Sequence, residues 1–378
     1  MLAIGHYVLC GGNTKKNGTT SAGKTRSRCV DCGASRTIDR EVSQRRYQLE
    51  ALVEWLCSNQ TQAQIRPGVS ARTFRAQTAW CWNVEPVIEP TGEIFEEIQL
   101  DGIYLQNGHC CLVAYANGHV VDFQWCTTEN SAAWGALLAR IPAPAVVIID
   151  GGSGLAKALK TVWPETSVQR CLVHIQRNVR RHLTRRPRTT PGKELAQLNY
   201  ALTKIATLDE AAEWMAALAI WHSTHQGFLN QKTYATDRLA TTPWWWTHDR
   251  VRKSYNLLAT QARKGSLFQY LQPELLDQVQ APVSSTTNRI EGGVNAPLRQ
   301  MLLHHRGMRL ARRKRAVEWW LQQHTEAPAP VHTFIQPHHY DPSARTKPII
   351  EDPIGPALYD RAFSTEEGIG IQHGWKGL

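Results

Sequence analysis

Two aspartates stand where the surrounding pattern does not ask for one. Asp101 falls inside the alternating run Glu97-Ile-Gln-Leu-Asp-Gly-Ile-Tyr-Leu105, and Asp150 closes the apolar run Ala145-Val-Val-Ile-Ile149 just before Gly151-Gly152. A mid-strand carboxylate is disfavoured by propensity and by burial, so it needs a metal or a hydrogen-bond partner. Asp-Gly at a strand end is an ordinary turn when met alone. Together on neighbouring strands the two would bring hard oxygen donors to one spot, the donor type that Mg2+ takes. Cys171-Leu-Val-His174 sets a thiol three residues from an imidazole. With no second pair nearby it makes a poor metal site, and no Cys-His-Asn constellation is present. The favoured reading is a core thiol beside a histidine that positions active-site backbone or substrate.

A second chemistry lies near the start. Cys29-Val-Asp-Cys32-Gly is a knuckle that turns two thiolates towards one Zn2+, and two such halves around a short hairpin make a zinc ribbon. The first half is incomplete: Cys10 has Tyr7 where a second cysteine is expected, which leaves His6 as the nearby nitrogen ligand. Two readings stay open, a Cys3His site of His6, Cys10, Cys29 and Cys32, or a degenerate ribbon that holds metal weakly. Lys15, Lys16, Lys24, Arg26 and Arg28 between the halves suit a module lying on phosphates.

The elements that must position these residues follow from periodicity. Ser43 can cap a helix to about Ser58, Gln60 to Arg66 suits a short helix, Pro67-Gly68 a turn, and Ser70 a cap for a helix from Ala71 to about Trp82. That is a helix-turn-helix layout over residues 41–90 with Arg72, Thr73, Arg75 and Gln77 pointing outward. From Glu97 three strands are expected, the second and third (His109 to Tyr115, His119 to Cys126) joined at Asn117-Gly118, a strong hairpin signal. A helix over Ser131 to Arg140, the strand ending at Asp150, a helix over Leu155 to Val162 and a strand over Ser167 to Val173 follow. Three antiparallel strands followed by alternating helix and strand is the ribonuclease-H-like α/β layout. After His174 the chain reads as helices (Gly192 to Ala206, Leu208 to His225, Trp244 to Lys264), an all-helical insertion over about 176–283. Its Trp244-Trp-Trp246 run reads first as packing, with stacking on an unpaired base as the functional alternative.

Composition and charge agree with a polyanion binder. The 378 residues hold 43 Lys and Arg against 32 Asp and Glu, a net charge of +11. Residues 326–378 are acidic and hold seven of the 19 prolines, so they read as an extended or disordered tail and leave the excess charge on the body. Two acid-free runs, Arg177 to Arg188 and Arg299 to Arg315, point to phosphate contacts through Arg177, Arg180, Arg181, Arg306, Arg312 and Arg313. No apolar run reaches membrane-span length, the start lacks a basic signal-peptide region, and nine cysteines read as thiols of a reducing, cytoplasmic compartment.

The chain resembles mutator-type (MULE-like) DDE transposases of bacterial insertion sequences over roughly residues 1–325. The resemblance rests on Leu100-Asp-Gly-Ile, Ile149-Asp-Gly-Gly-Ser-Gly-Leu-Ala-Lys-Ala, Gln169-Arg-Cys-Leu-Val-His-Ile-Gln-Arg-Asn-Val and Ser285-Thr-Thr-Asn-Arg-Ile-Glu-Gly-Gly-Val-Asn-Ala-Pro-Leu-Arg. It implies a catalytic triad of Asp101, Asp150 and Glu291, with the Cys171/His174 motif close to the active site. It also implies a core domain over 91–325 with a helical insertion, behind a ribbon-like module at 1–40. Read from the residues, Glu291 opens a helix in which Asn295, Leu298, Arg299 and Leu302 share a face, with Pro297 demanding a start near Asn295 or a bend. Arg299 then stands one turn from the carboxylate, suited to a phosphate.

The implied chemistry is that of two Mg2+ ions, or Mn2+ in their place, about 3.5–4 Å apart, serving hydrolytic cutting at element ends and transfer of a 3′-hydroxyl into target DNA. The partners are double-stranded DNA at terminal inverted repeats and target, and a second copy of the chain in a dimer or larger assembly on the bacterial nucleoid. The incomplete ribbon and the proline-rich tail raise the rival reading of a catalytically silent, transposase-derived repressor, against which all three carboxylates are present. A generic ribonuclease-H-like repair nuclease is the third reading, separated by the end-binding that the N-terminal modules promise.

Overall fold

A computed structural model describes residues 12–38, 40–105, 108–236 and 241–340. The chain divides into two units: one holds the residues up to Val87 with Met301–Gln323 and the described residues from Pro328, the other Ile88–Gln300 with His324–Ala327.

The first unit opens with an antiparallel sheet, β1 (Thr14–Thr19), β2 (Thr25–Cys29) and β3 (Ser35–Ile38) in that order. Three helices follow: α1 (Arg40–Cys57), α2 (Gln62–Ile65) and α3 (Ala71–Gln77). Thr61 and Gln64 form a reciprocal capping box on α2, and Ser70 caps α3 through the Thr73 N–H, as the spacing predicts. The α1 stripe Leu49, Leu52, Val53 and Leu56 is buried, with Trp55 edge-on to Phe74 of α3 at 5.9 Å. Arg72, Thr73 and Arg75 are exposed, but Gln77 is half-buried and does not point outward as expected.

Two boundaries differ from those read in the sequence. The helix Leu310–Gln323 belongs to this first unit and not to the 91–325 domain, because its apolar face packs on α1 and buries Trp319 and Trp320. The proline-rich segment is ordered as far as Tyr340. Phe334 lies 5.6 Å from Trp319, Tyr340 lies 6.0 Å from Trp80, and the Arg45 guanidinium sits 3.5 Å above the Tyr340 ring. Prolines here restrict the chain to short 3-10 turns that present aromatic rings to the helices, so composition alone misread an ordered strap. The remaining tail, 341–378, lies outside the described residues.

The second unit is built on a five-stranded mixed sheet. Its strands are β4 (Glu97–Tyr104), β5 (Cys110–Ala116), β6 (His119–Cys126), β7 (Val146–Ile149) and β8 (Ser167–Arg170), in the order β6-β5-β4-β7-β8. β5 runs antiparallel to both of its neighbours, β4 and β6, while β4, β7 and β8 run parallel. Asn117 and Gly118 both take positive φ in the β5–β6 turn, the geometry that Asn-Gly favours. Helices α4 (Ser131–Leu138) and α5 (Ser153–Val162) cover one face, where Ile98, Leu100, Val147 and Ile149 meet Trp134, Leu137, Leu155 and Leu159. The opposite face of β7, Val146 and Ile148, is closed by Leu275 and Val283.

After β8 the helices α6 (Leu172–Leu183), α7 (Thr190–Ala201), α8 (Leu208–Leu229) and α9 (Asp249–Arg263) bury a core of their own around Leu172, Ile175, Val179, Trp214, Trp221 and Leu258. The insertion is not the all-helical one expected, because β9 (Lys232–Tyr234) and β10 (Trp244–Trp246) pair antiparallel before α9. Alternation puts Trp244 and Trp246 on one side, where the Lys232 ammonium lies 4.0 Å from Trp244 and the Arg252 guanidinium 3.9 Å from Trp246. Aromatic residues fit a strand better than a helix interior, which is why the run resists the helical reading. Short helices α10 (Pro273–Leu276) and α11 (Asn288–Ile290) lead through a π turn, Glu291–Asn295, into α12 (Ala296–His304).

Replacing Trp319 by alanine is expected to cost about 3–5 kcal/mol of stability in the first unit. Amide hydrogen exchange should accelerate across Arg40–Cys57 while β4–β8 stay protected; equal acceleration in both would contradict the assignment of the Leu310–Gln323 helix.

Candidate active site

Parallel pairing of Leu100 with Ile149 sets Asp101 and Asp150 side by side, one residue beyond that pair on adjacent strands. Asp101 is fixed by its own turn and by the π segment: Oδ1 accepts the Gly102 N–H at 2.8 Å, and Oδ2 accepts Asn295 Nδ2 at 2.5 Å. Asp150 Oδ1 accepts the Gly152 N–H at 3.1 Å, and its carbonyl accepts Arg170 Nη2 at 2.8 Å. Gly151, at φ +105, leaves the space that the Arg170 guanidinium fills.

Glu291 arrives by a different route. Buried Gln99 on β4 donates to the Thr286 carbonyl at 3.3 Å and accepts the Ile290 N–H at 3.0 Å, tying the approach to α11 onto the sheet. Cys171 Sγ accepts both the Thr287 N–H and its hydroxyl at 3.3 Å, and Thr287 Oγ1 also meets His174 Nδ1 at 3.4 Å. Thus the Cys171/His174 pair holds Thr287, in the segment that carries Glu291. The expected strand through Val173 ends instead at Arg170, and Cys171 is the residue just before α6, without a side-chain cap. The π turn accommodates Pro297, whose missing N–H would interrupt a regular helix; single π turns of this kind recur at functional sites. Arg299 Nη1 lies 3.8 Å from Glu291 Oε2.

The electrostatics show how close the acids are. Burial, followed by the charges of Asp150 and Glu291, pushes Asp101 up to about 7 against an ordinary 3.8, with His174 and the Gly102 N–H opposing. Burial disfavours protonated His174, but the Cys171 contact and then Asp150 and Asp101 outweigh it and push it up to about 9. Burial likewise opposes the Cys171 thiolate, yet His174 and Thr287 lower its pKa overall. One member of the group was not legible in the sequence. Glu129, between β6 and α4, is held well above the carboxylate range by burial and then by Asp150 and Asp101. It sits in Thr127-Thr128-Glu129-Asn130, which reads as a polar connector ending in a helix cap; Asn130 does cap α4 through the Ala133 N–H.

Oxygen donors of this kind suit a hard divalent cation. A buried orphan supports the fit: Asn295 is fully buried and its Oδ1 has no hydrogen-bond partner, although its Nδ2 holds Asp101. Among the described residues no three His, Cys, Asp or Glu side chains are already arranged around one ion. Each of the three expected carboxylates instead meets a local partner, the Gly102 and Asn295 N–H groups, the Gly152 N–H and the Arg299 guanidinium respectively. The same holds for zinc: no zinc site is seen among the described residues. Cys29 is buried and Cys32 exposed at the end of β2, Gly12 lies against Cys29, and His6 and Cys10 fall outside the described residues.

The expected phosphate-binding residues divide between the units. Arg177, Arg180 and Arg181 are exposed on α6, on the side away from Ile175 and Val179. Lys15, Lys16, Arg26, Arg72 and Arg75 are exposed on the first unit. The second arginine run does not act as one element beside Glu291: Arg299 adjoins that carboxylate, whereas Arg306, Arg312 and Arg313 belong to the first unit. Arg306 and Arg312 are exposed there, and Arg313 is half-buried.

Comparison with known families bears directly on the middle of this arrangement. Residues 107–231, which contain Glu129, Asp150, Cys171 and His174, match the family described as Transposase, Mutator family. Residues 107–231 are thus similar to the mutator-family transposase domain. The domain's relatives include the transposase for insertion sequence element IS1201 of Lactobacillus helveticus, 30% identical over 25% of this chain and 27% of that protein. The transposase for insertion sequence element IS905 of Lactococcus lactis subsp. lactis (strain IL1403) is 34% identical over 16% of this chain and 17% of that protein. These matches thus span about a quarter or less of those relatives' length. The mutator-type match reaches neither Asp101 nor Glu291, which join it here through the sheet and the π turn. No helix among the described residues is long and apolar enough to cross a membrane.

Because Asp101 binds its proton more tightly folded than unfolded, its protonation contributes stability that is complete below about pH 4 and lost as pH rises through about 7. His174 acts in the same sense, losing its contribution between about 6.5 and 9. Melting in chelator should therefore show a midpoint that declines from about pH 5 to about pH 8, and Asp101→Asn should flatten the lower half of that decline. A midpoint independent of pH in the unmodified protein would contradict the half-buried carboxylate cluster.

Proposed function

We propose that the chain is a DNA transposase of an insertion sequence, with a ribonuclease-H-like core whose Asp101, Asp150 and Glu291 hold two Mg2+ ions, Mn2+ substituting. The observation that carries this is the meeting of those three carboxylates beside the buried, half-satisfied Asn295, in a chain with a mutator-type domain. The strand order β6-β5-β4-β7-β8, with three antiparallel strands followed by two parallel ones, supports the ribonuclease-H-like assignment. When bound, the metal pair supplies an activated water or DNA 3′-hydroxyl and stabilises the leaving oxygen of the phosphodiester.

The protein's own residues prepare that chemistry. Asn295 and the Gly102 N–H orient Asp101, the Gly152 N–H orients Asp150, and Gln99 and Thr287 deliver Glu291 to the same edge of the sheet. Protonated His174 moderates the negative field near Asp101 and Asp150. Arg177, Arg180 and Arg181 on α6 are suited to neutralise DNA phosphates, and Arg299 to meet one beside Glu291. Exposed Arg72 and Arg75, on a helix that follows a capped short helix and turn, support reading of terminal inverted repeats by a helix-turn-helix. The β1–β3 sheet with Lys15, Lys16 and Arg26 would add phosphate contacts, with or without zinc. Work on two element ends calls for a dimer or larger assembly, on the nucleoid of a bacterial cytoplasm.

Asp150→Ala should abolish Mg2+-dependent cleavage of element ends, a loss of several kcal/mol of transition-state stabilisation, or about a thousandfold or more in rate. Binding to the same DNA should persist. Cleavage at the unmodified rate would remove Asp150 from the reaction.

A further inference from the structure

We propose that the cavity at the far end of α6 is a phosphate site separate from the carboxylates, holding one backbone phosphodiester of bound DNA. The inference rests on the transposase reading for the source of that phosphate and adds a site to it. The cavity, about 420 Å³, lies where the end of α6 meets the starts of α7 and α9. Arg186 and Arg188 line it from the connector between α6 and α7, Arg250 lines it from the first turn of α9, and none of its lining residues is acidic. Among the described residues these three arginines have no hydrogen-bond or ion-pair partner. The acid beside Arg250 in the chain, Asp249, is taken by Lys253 at 2.8 Å. Three cations around one cavity without a counterion repel one another, and an anion among them removes that cost. The positive field is felt at His182, in the last turn of α6: burial and then Lys253 hold it below its ordinary range, with Arg181 and Arg250 adding in the same sense against Asp249.

The cavity is built into the packing of the insertion. Buried Gly192, near the start of α7, sets its bare Cα against Pro187, Val251 and the Thr189 hydroxyl, all of which line the cavity, so a β-carbon there would crowd the floor. Thr184, which ends α6 on the rim, holds φ 70 and ψ 171, a backbone region kept almost wholly by glycine. A branched residue stays there only where the surrounding packing fixes it, and such residues gather at ligand clamps. Position then selects the anion. α6 is 12 residues long, which spans about 18 Å. Its first turn carries His174 at Thr287, its exposed side carries Arg177, Arg180 and Arg181, and its last residue, Leu183, lines the cavity. A DNA backbone followed from the carboxylates along this row reaches the cavity after about five base pairs, at about 3.4 Å per pair. A row of cations leading to the cavity fits a continuous polyanion, whereas a free nucleotide needs the cavity alone. Guanidinium forks match phosphate oxygens in shape as well as charge.

The test measures binding of the full-length protein to a duplex bearing its element end, and to a scrambled duplex, over a range of KCl concentrations. In the triple variant Arg186→Gln/Arg188→Gln/Arg250→Gln the slope of log K against log[KCl] should fall by about one, the loss of one phosphate contact. The fall should be alike on both duplexes, since a phosphate contact carries no base sequence. Arg263→Gln, which removes an exposed charge from the last turn of α9, should leave the slope unchanged. A slope in the triple variant equal to that of the unmodified protein overturns the site while leaving the transposase reading intact. A fall of about three means three separate contacts and overturns the single-phosphate cavity. Failure of the unmodified protein to bind either duplex overturns the transposase reading, and this inference with it. Pyrophosphate gives a second readout without DNA: it should raise the melting midpoint of the unmodified protein and of Arg263→Gln but not of the triple variant. An equal rise in all three places the anion elsewhere and overturns the proposal. A rise lost in the triple variant together with an unchanged slope on DNA makes the ligand a free phosphate and overturns the backbone contact.

Discussion

Repulsion among half-buried carboxylates is the interaction on which the second unit turns. Asp101 on β4 and Asp150 at the end of β7 are adjacent by strand register, and Glu291 is brought to them across a chain excursion of 140 residues. Packing them together costs folding free energy, and the cost is visible in Asp101, whose proton is retained to about pH 7. The surrounding structure is a set of partial remedies: backbone N–H groups at Gly102 and Gly152, the Asn295 amide, protonated His174 and the Arg299 guanidinium. None is a full countercharge set against the group as a whole.

The large insertion leaves and re-enters beside the same carboxylates. β8 ends at Arg170, α6 follows from Leu172, and the chain leaves to build a second hydrophobic core before returning at Ser285, whose carbonyl accepts the Leu172 N–H. Departure and return are therefore adjacent. Cys171 and His174, at the departure, grip Thr287 at the return, so the excursion does not loosen the placement of Glu291.

Much of this was legible in the amino-acid order, and the gaps have physical reasons. Asp101 and Asp150 stood out because strand patterns are short-range: alternation and a buried apolar run each declare themselves within a few residues. Ser70 and the Asn117-Gly118 turn were legible for the same reason. Glu291 was reachable only through family resemblance, since nothing local pairs a helix with a strand so far back in the chain. Glu129 was silent because it lies against glycines, Gly102 and Gly154, which signal missing bulk without naming what fills it. The Trp244–Trp246 strand was read as helix because three residues are too few to show alternation, and its pairing with Lys232–Tyr234 is a tertiary fact. The strap to Tyr340 was read as disordered because proline content reports stiffness and not whether aromatic side chains find a surface.

The central claim is that the oxygens of Asp101, Asp150 and Glu291 share divalent metal. Crystals grown or soaked with Mn2+ and measured at the manganese absorption edge test it most directly. The account predicts anomalous density bounded by these three side chains, with the Asp101 carboxylate drawn from its present partners towards the ion. Full Mn2+ occupancy at other sites, with Asp101 still bonded only to Asn295 and Gly102, would contradict it.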